Sequence, residues 1–355
     1  MSDKVSIIIP TRNRRDLLRQ ALKSARAQTW ADVEMLIVDE ASTDGTAAML
    51  AAEFPDLRVV KHDKPRGPGG ARNSGIAATD SDWVLFLDDD DLLHAKHVEA
   101  LVKASRGMTD ITSIVSGRWR RFAVVNNEVW LGPVICAAGQ RRGIEILAEA
   151  LEPNGEGTIC CHSVLWPRRV FADVLWDEQL STNGDVDFFG RAVLSGRRIV
   201  GSQTGMAYYR AHLGDRVAGV PTLRGLMSGA RYRLKWSQLL LSHPEHQVCA
   251  QAMRNGFMTL MIGLSGVPEA AEVMPLLQDA YRLWGGQGYY MSSPPRHPFK
   301  RLVAEGALRL GGPTALQWLL KQTSRRDRAR QEQLAGYATP TEADNSDVSA
   351  IRAVE

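Results

Sequence analysis

The chain has 355 residues, 44% hydrophobic and 23% charged, the composition of an ordinary globular protein with room for one large domain and an accessory one. Its 43 Lys and Arg against 40 Asp and Glu give a formal net charge of +3, too small to argue for nucleic-acid binding. No run of 18 apolar residues occurs, and the start lacks a charged stretch leading into a long apolar one. Neither a membrane-spanning helix nor a signal peptide is expected, and Cys136, Cys160, Cys161 and Cys249 read as reduced thiols of a cytoplasmic protein.

The first hundred residues alternate between short β-branched runs and helical periodicity. Val5 to Ile9 is a strand stopped by Pro10, and Arg15 to Gln28 carries Leu17, Leu18, Ala21, Leu22 and Ala25 at helical spacing. Val33 to Val38 is a second strand, followed by a turn at Ser42 to Gly45 and a helix over Thr46 to Glu53. Leu57 to His62 is a third strand. Pro65 to Gly70 reads as a loop, Ala71 to Ala78 as a helix, and Trp83 to Leu87 as a fourth strand. This order implies a parallel sheet with right-handed crossovers.

The middle third is less regular. Ile111 to Val115, Arg118 to Val125 and Glu128 to Leu131 suggest antiparallel strands, and Arg142 to Glu149 and Asp185 to Ser195 suggest helices. Ser163 to Trp166, Arg198 to Val200 and Met206 to Arg210 read as strands. The last third is helical by periodicity over Leu223 to Leu241, Gln247 to Leu264, Glu269 to Trp284 and Phe299 to Arg330, with Pro244, Pro268, Pro294 and Pro295 between helices. Residues 336–355 are small and polar and are expected to be disordered. The expected division is a catalytic domain over 1–220, with a nucleotide half to about 110 and an acceptor half beyond it, then a helical region over 221–335. Arg118, Arg120 and Arg121 read as a solvated face, as do Arg141 and Arg142; the cluster from Arg325 to Arg330 could meet an anionic surface.

Four consecutive aspartates, Asp88 to Asp91, follow the apolar run Trp83 to Leu87. A buried strand opening into four carboxylates repels itself unless a cation is near, which suggests a divalent metal at the carboxyl end of a sheet strand. The plain alternative is an acidic cap, with Asp91 starting a helix at Leu92. The parallel strands end at the same edge in Pro10-Thr11-Arg12-Asn13 and in Asp39-Glu40-Ala41-Ser42. A strand-end carboxylate such as Asp39 suits a ribose hydroxyl or a base N–H, and otherwise caps its turn. The glycine segment Gly67-Pro68-Gly69-Gly70 could offer backbone N–H groups to a diphosphate, with Arg72 as a fixed cation. Arg72 in a first helical turn opposes the helix dipole, which hints at an anionic partner. Asp185 opens a helix after Gly184 and could accept a proton from a hydroxyl nucleophile, or serve as a cap. Asp187 and Arg191 stand at ion-pair spacing. His212, in a loop after a strand, is a candidate ligand for Mn²⁺ or Mg²⁺ or a solvated imidazole.

The series Ser6-Ile7-Ile8-Ile9-Pro10-Thr11-Arg12-Asn13, Val38-Asp39-Glu40-Ala41-Ser42-Thr43-Asp44-Gly45, Gly70-Ala71-Arg72-Asn73-Ser74-Gly75 and Leu87-Asp88-Asp89-Asp90-Asp91 resembles the family 2 glycosyltransferases. The resemblance implies the GT-A, Rossmann-like fold: an α/β architecture with a mixed, mostly parallel sheet flanked by helices, here with an α-helical C-terminal region. It implies an inverting, metal-dependent hexosyltransferase that moves a sugar from a nucleotide-diphospho-sugar, a UDP-sugar first, to an acceptor hydroxyl in glycan or glycoconjugate biosynthesis. By position it assigns Pro10, Thr11, Arg12, Asn13, Asp39, Gly70, Arg72, Asp88 and Asp89 to the nucleotide, Asp90 and His212 to Mn²⁺ or Mg²⁺, and Asp185 to the catalytic base. Three positions depart from the family pattern: Glu40 and Ala41 stand where Asp-Gly is usual, and Gly184 replaces the Glu of the Glu-Asp pair.

Two other classes are weighed. A nucleotidyltransferase on a similar sheet would show a glycine- and lysine-containing loop after the first strand, where this chain has Thr11-Arg12-Asn13-Arg14. A non-catalytic scaffold would not need both Asp90 and Asp185. The C-terminal helices leave open a homodimer and, through Phe299 to Val303 and the later arginines, peripheral contact with the inner face of a membrane. Trp236, Trp284 and Trp318 read as core rather than lipid anchors. The acceptor is not assigned.

Overall fold

The computed structural model describes residues 3–106, 113–136, 142–153, 159–180, 183–211, 223–286 and 344–355. The chain forms two compact units: Met1–Gly143 with Thr158–Arg216 and Leu334–Glu355, and Ile144–Gly157 with Val217–Gln333.

The first unit is built on a seven-stranded sheet. Strand β1 (Val5–Thr11) lies between β2 (Val33–Asp39) and β4 (Trp83–Phe86), parallel to both, and β3 (Arg58–Lys61) extends the sheet beyond β2. Strand β9 (Val164–Pro167) pairs antiparallel with β4 and with β6 (Ile114–Ser116), and β10 (Ile199–Gly201) closes that edge parallel to β6. Ile7, Ile8, Ile9, Leu85 and Phe86 are wholly buried, as expected for central strands covered on both faces. Thr11 is level with Asp39 and Ile8 with Phe86, so the carboxyl ends of β1, β2 and β4 share one edge. The large sheet is α/β, mostly parallel and flanked by helices, as the sequence patterns imply.

Helix α1 (Arg15–Arg26) buries Leu18, Ala21, Leu22 and Ala25, its predicted apolar face, and α2 (Thr46–Glu53) follows the turn at Gly45. Helix α3 (Gly67–Ala78) begins four residues earlier than the composition suggests. Pro68 sits in its first turn, where a missing N–H costs nothing. The Glu40 carboxylate accepts the N–H groups of Arg66 (2.9 Å) and Gly67 (2.8 Å), so the expected glycine loop is a capped helix start. On the sheet side, a Cβ at Gly75 would overlap the buried Ile8 side chain. Gly75→Ala is therefore expected to destabilise the fold by about 1–3 kcal/mol through overpacking. A thermal melt reads this directly, and an unchanged Tm would contradict the contact.

Strand β5 (Leu92–Leu93) stands where the alternative reading of the four aspartates places a helix capped by Asp91, and helix α4 (His97–Ser105) starts only after a turn. Ile114–Ser116 belongs to the large sheet rather than to the antiparallel set expected with Arg118 to Val125. Gly117 separates the two runs: its N–H donates to the Ser163 carbonyl (2.7 Å), and a Cβ there would press on Leu101. A second, four-stranded sheet has the order β5, β11 (Ala207–Arg210), β7 (Arg118–Val125), β8 (Glu128–Cys136). Strand β11 runs parallel to β7, and β7 pairs antiparallel with β8.

The expected disordered tail is corrected in its described part. Residues 344–355 contain a helix on the four-stranded sheet, in which Ile351 and Val354 pack with Leu92, Phe122, Leu131 and Tyr208. Arg120, expected on a solvated face, is buried because its guanidinium donates to Asp344 (2.7 Å), Asp347 (2.8 Å) and the Gly132 carbonyl (2.8 Å).

The second unit contains α7 (Leu223–Leu241), α8 (Ala250–Leu264) and α9 (Val273–Leu283), close to the helical spans predicted. They follow α5 (Gly143–Ala150) and the first unit's α6 (Gly184–Leu194). Trp236 and Trp284 are core residues, and the Trp284 indole donates to Ser237 (2.8 Å). Trp318, Phe299 to Val303 and the span expected to be helical to Arg330 lie outside the described residues. No helix among the described residues is long and apolar enough to cross a membrane.

Candidate active site

A crevice of about 710 Å³ opens at the carboxyl edge of β1 and β4. It is lined by Pro10, Thr11 and Arg12 from β1 and its loop, by Asp88, Asp89 and Asp90 after β4, by Arg72 on α3, and by Asp185 on α6. The parallel register explains the grouping, because strand ends at one edge must share the space beyond it.

The aspartates have separate environments. Asp88 accepts from the Arg72 guanidinium, and Cys161 Sγ lies 3.6 Å from its other oxygen. Burial would raise the Asp88 carboxyl, but the nearby positive charges of Arg72 and His162 outweigh it and hold it below the usual carboxylate range. Asp89 is 5% exposed and accepts from Thr11 Oγ1 (2.7 Å) and Arg14 Nη1 (3.0 Å). Burial pushes it up to about 6 despite those partners. Asp90 accepts from Arg14 Nη1 (2.6 Å), so one guanidinium bridges Asp89 and Asp90.

Asp91 points away from the crevice. Its Oδ2 lies 3.0 Å from His162 Nδ1, both side chains are buried, and Arg210 N–H donates to Oδ1 (2.8 Å). Burial disfavours a charged imidazole, yet Asp91 raises the His162 pKa well above its ordinary value. Asp91, Cys160 and His162 bring possible ligand atoms within 4.8 Å of one another. The ion pair and the Cys160 contact of 3.2 Å account for this cluster as a support under the acidic loop. Beside it, His97 Nε2 contacts the His162 carbonyl (3.0 Å), and burial lowers its pKa to about 3.

A depressed folded-state pKa makes the neutral His97 a source of stability that is complete above the unfolded value near 6.5 and is lost as pH falls toward 3. His97→Gln should therefore flatten the acid side of the stability–pH curve by about 3 kcal/mol. Denaturant midpoints between pH 7 and pH 4 check this, and parallel curves for the two proteins would contradict it.

Arg72 is 7% exposed and lies with Cζ 4.3 Å from the Trp176 ring centre. Trp176 in turn stacks on Phe188 of α6, with centroids 4.6 Å apart. Arg72 is therefore a cation fixed by a carboxylate on one side and a π face on the other. Asp185, in the first turn of α6, accepts the Val186 N–H (2.9 Å). Burial, ahead of every other influence, raises its pKa above the usual carboxylate value. Asp187 points the other way and pairs with Arg191 (2.7 Å), the ion pair that the spacing suggests.

Three predicted nucleotide residues are not among those lining the crevice. Asn13 adopts φ 54° and ties two loops together, accepting the Thr43 N–H (2.7 Å) and donating its own N–H to Ser42 (3.0 Å). Asp39 is buried and accepts the Ser42 N–H (3.0 Å), the turn-capping role weighed from the sequence. Gly70 is a buried helical residue against Arg66. The N–H groups of Arg66 and Gly67 are taken by Glu40, which limits what the helix start can offer an anion. His212 lies outside the described residues.

Arg14, Glu40, Cys161, Trp176 and Tyr209 line the same space and were not predicted as site residues. Arg14 stood in the quoted first loop as an unassigned cation, and Glu40 as a departure from a pattern. Nothing local marks Cys161, Trp176 or Tyr209.

The donor set fits a hard divalent cation. Asp88 and Asp90 line the crevice with carboxylate oxygens that could ligate such a cation, and the Asp89–Asp90 pair already gathers the positive charge of Arg14.

Residues 6–175 match the family model for Glycosyl transferase family 2. The succinoglycan biosynthesis protein ExoO of Rhizobium meliloti is 37% identical over 100 residues, 28% of this chain and 29% of that protein. The GalNAc(5)-diNAcBac-PP-undecaprenol beta-1,3-glucosyltransferase of Campylobacter jejuni is 34% identical over 113 residues, 30% of this chain and 37% of that protein. The chain thus spans well under half the length of these relatives. Among solved structures, S. aureus TarS 1-349 in complex with UDP-GlcNAc has a TM-score of 0.55 at 17% identity, covering 81% of this chain and 93% of that one. The complex of the same protein with UDP gives 0.52 at 17% identity with the same coverage. At that identity the likeness concerns the fold.

Proposed function

From the match of residues 6–175 to the family model for Glycosyl transferase family 2, we propose that the chain is an inverting, metal-dependent glycosyltransferase that moves a sugar from a nucleotide-diphospho-sugar to an acceptor hydroxyl. One observation carries the reading: three carboxylates at a strand end, a fixed arginine and a desolvated carboxylate on a helix border one crevice. UDP is the first donor base to test, because the TarS structures hold UDP and UDP-GlcNAc. Glycan assembly is the corresponding setting, as in the succinoglycan role named for ExoO.

In this reading Pro10, Thr11 and Arg12 border the nucleoside, with Asp39 and Asn13 shaping the loops behind them. Arg12, exposed at the crevice, and the fixed Arg72 both offer positive charge to the diphosphate. Asp90 would hold Mn²⁺ or Mg²⁺ with Asp88 beside it, and His212 is a further candidate ligand. When bound, the metal neutralises charge that builds on the departing diphosphate. Asp185 takes the acceptor hydroxyl proton as the acceptor oxygen bonds to the anomeric carbon. The bond from that carbon to the diphosphate oxygen breaks in the same displacement, so configuration inverts. The raised pKa of Asp185 makes it a stronger base than an exposed aspartate.

The test is release of nucleoside diphosphate from UDP-, GDP-, dTDP- and CDP-sugars, with Mn²⁺, with Mg²⁺ and with chelator. Metal-dependent release from one donor class is expected. No release from any of them, with or without candidate glycan acceptors, would contradict the proposal.

A further inference from the structure

Residues 344–355 return to the first unit after a long intervening stretch and end beside the acidic loop. Helix α10 (Asn345–Arg352) is pinned at its start, where Arg120 donates to Asp344 and Asp347 and the Tyr208 hydroxyl donates to the other Asp347 oxygen (2.7 Å). At the far end Glu355 accepts from Arg210 Nη1 (2.6 Å). Arg210 is the node of this arrangement. Its Nε donates to the Asp90 main-chain carbonyl (2.7 Å), its backbone N–H to the Asp91 carboxylate (2.8 Å), and its Nη2 to Gln20 (2.8 Å). Its Cζ lies 4.6 Å from the Phe122 ring centre, so the guanidinium is held on every side. The peptide it grips carries the Asp90 side chain.

We propose that residues 344–355 are an internal brace of the donor site, and that Arg210 is the positioning residue through which they set the Asp90–Asp91 backbone. The claim about metal and nucleotide affinity rests on the reading of the crevice given above; the mechanical coupling does not. A planar guanidinium with several fixed acceptors transmits the position of one to the others, because moving one bends or breaks the rest. Removing the Glu355 charge frees one arm and lets the Asp90 carbonyl drift. Releasing the helix at Asp347 removes the same arm from a distance.

The experiment uses the full chain as wild type, Glu355→Gln, Asp347→Ala and Arg210→Lys. Amide hydrogen exchange is measured in the ligand-free protein, and calorimetry measures UDP binding with Mn²⁺. The brace predicts that exchange over residues 88–93 rises about tenfold in each variant while β1 and β2 keep wild-type protection. It also predicts about tenfold weaker UDP binding in the presence of Mn²⁺. A purely structural role would instead loosen β1 and β2 together with the loop, and that result would overturn the proposal. So would faster exchange over 344–355 with residues 88–93 and the affinity unchanged. If Asp347→Ala fails to fold, the isosteric Glu355→Gln decides the matter. If wild type binds no nucleotide, the donor-site reading fails and the exchange result alone decides whether the brace exists.

Discussion

Asp90→Asn is expected to abolish sugar transfer and to remove metal-dependent nucleotide binding. The substitution keeps shape and removes one negative charge, so its effect reports on charge rather than packing. Arg14 bridges Asp89 and Asp90, and a divalent cation bound at Asp90 would share or displace that bridge. With Asn at position 90 the loop keeps a weaker bond to Arg14 and lacks the anionic oxygen that a hard cation requires. Transfer should fall by about 10²–10³-fold, the range seen when a charge-stabilising group is removed. Addition of Mn²⁺ should no longer raise the Tm in the presence of UDP. A variant that keeps both the Mn²⁺-linked Tm shift and transfer would exclude Asp90 as the metal ligand.

Asp185→Asn is expected to abolish transfer by a separate route, leaving the nucleotide in place. The amide cannot accept the hydroxyl proton, and loss of a positioned general base typically costs about 10²–10⁴-fold. Asp185 stands on α6, a different element from the loop after β4 that carries the proposed metal ligand Asp90, so UDP affinity should stay within about twofold of wild type. The pH profile supplies a second check. The base works when deprotonated, and burial raises its pKa, so wild-type kcat/KM should climb with pH along an acidic limb displaced above the ordinary aspartate value. The residual activity of Asp185→Asn should lack that limb. Equal activity in the variant, or the same limb, would remove Asp185 from the mechanism.

The parts of the site that were legible in the sequence are those written locally. Short apolar runs stopped by Pro10, Asp39 and Asp88 mark strand ends, and parallel order places strand ends together. The roles of Arg14, Glu40 and Asp91 depend on groups 26 to 119 residues away and have no local signature. Glu40 resembles a variant of a loop pattern until its carboxylate is found on the N–H groups of Arg66 and Gly67. Four aspartates in a row look equivalent, whereas their environments give an ion pair with Arg72, a site beside Arg14 and a buried support on His162. The terminal helix has no clear sequence signal because Val348, Ile351 and Val354 are too few for a periodic pattern, and its docking depends on ion pairs with the buried Arg120. The sequence marks the start of helix α3 poorly because glycines dominate its first turn, while the cap that stabilises it comes from another strand end.

The most direct test of the account is calorimetric titration of UDP into the wild-type protein, once with Mn²⁺ and once with chelator, repeated with Asp90→Asn. The account predicts one UDP per chain with Mn²⁺, loss of most of that affinity with chelator, and metal-insensitive weak binding in the variant. Equal affinity in all four titrations would contradict a metal-assisted donor site built on Asp90.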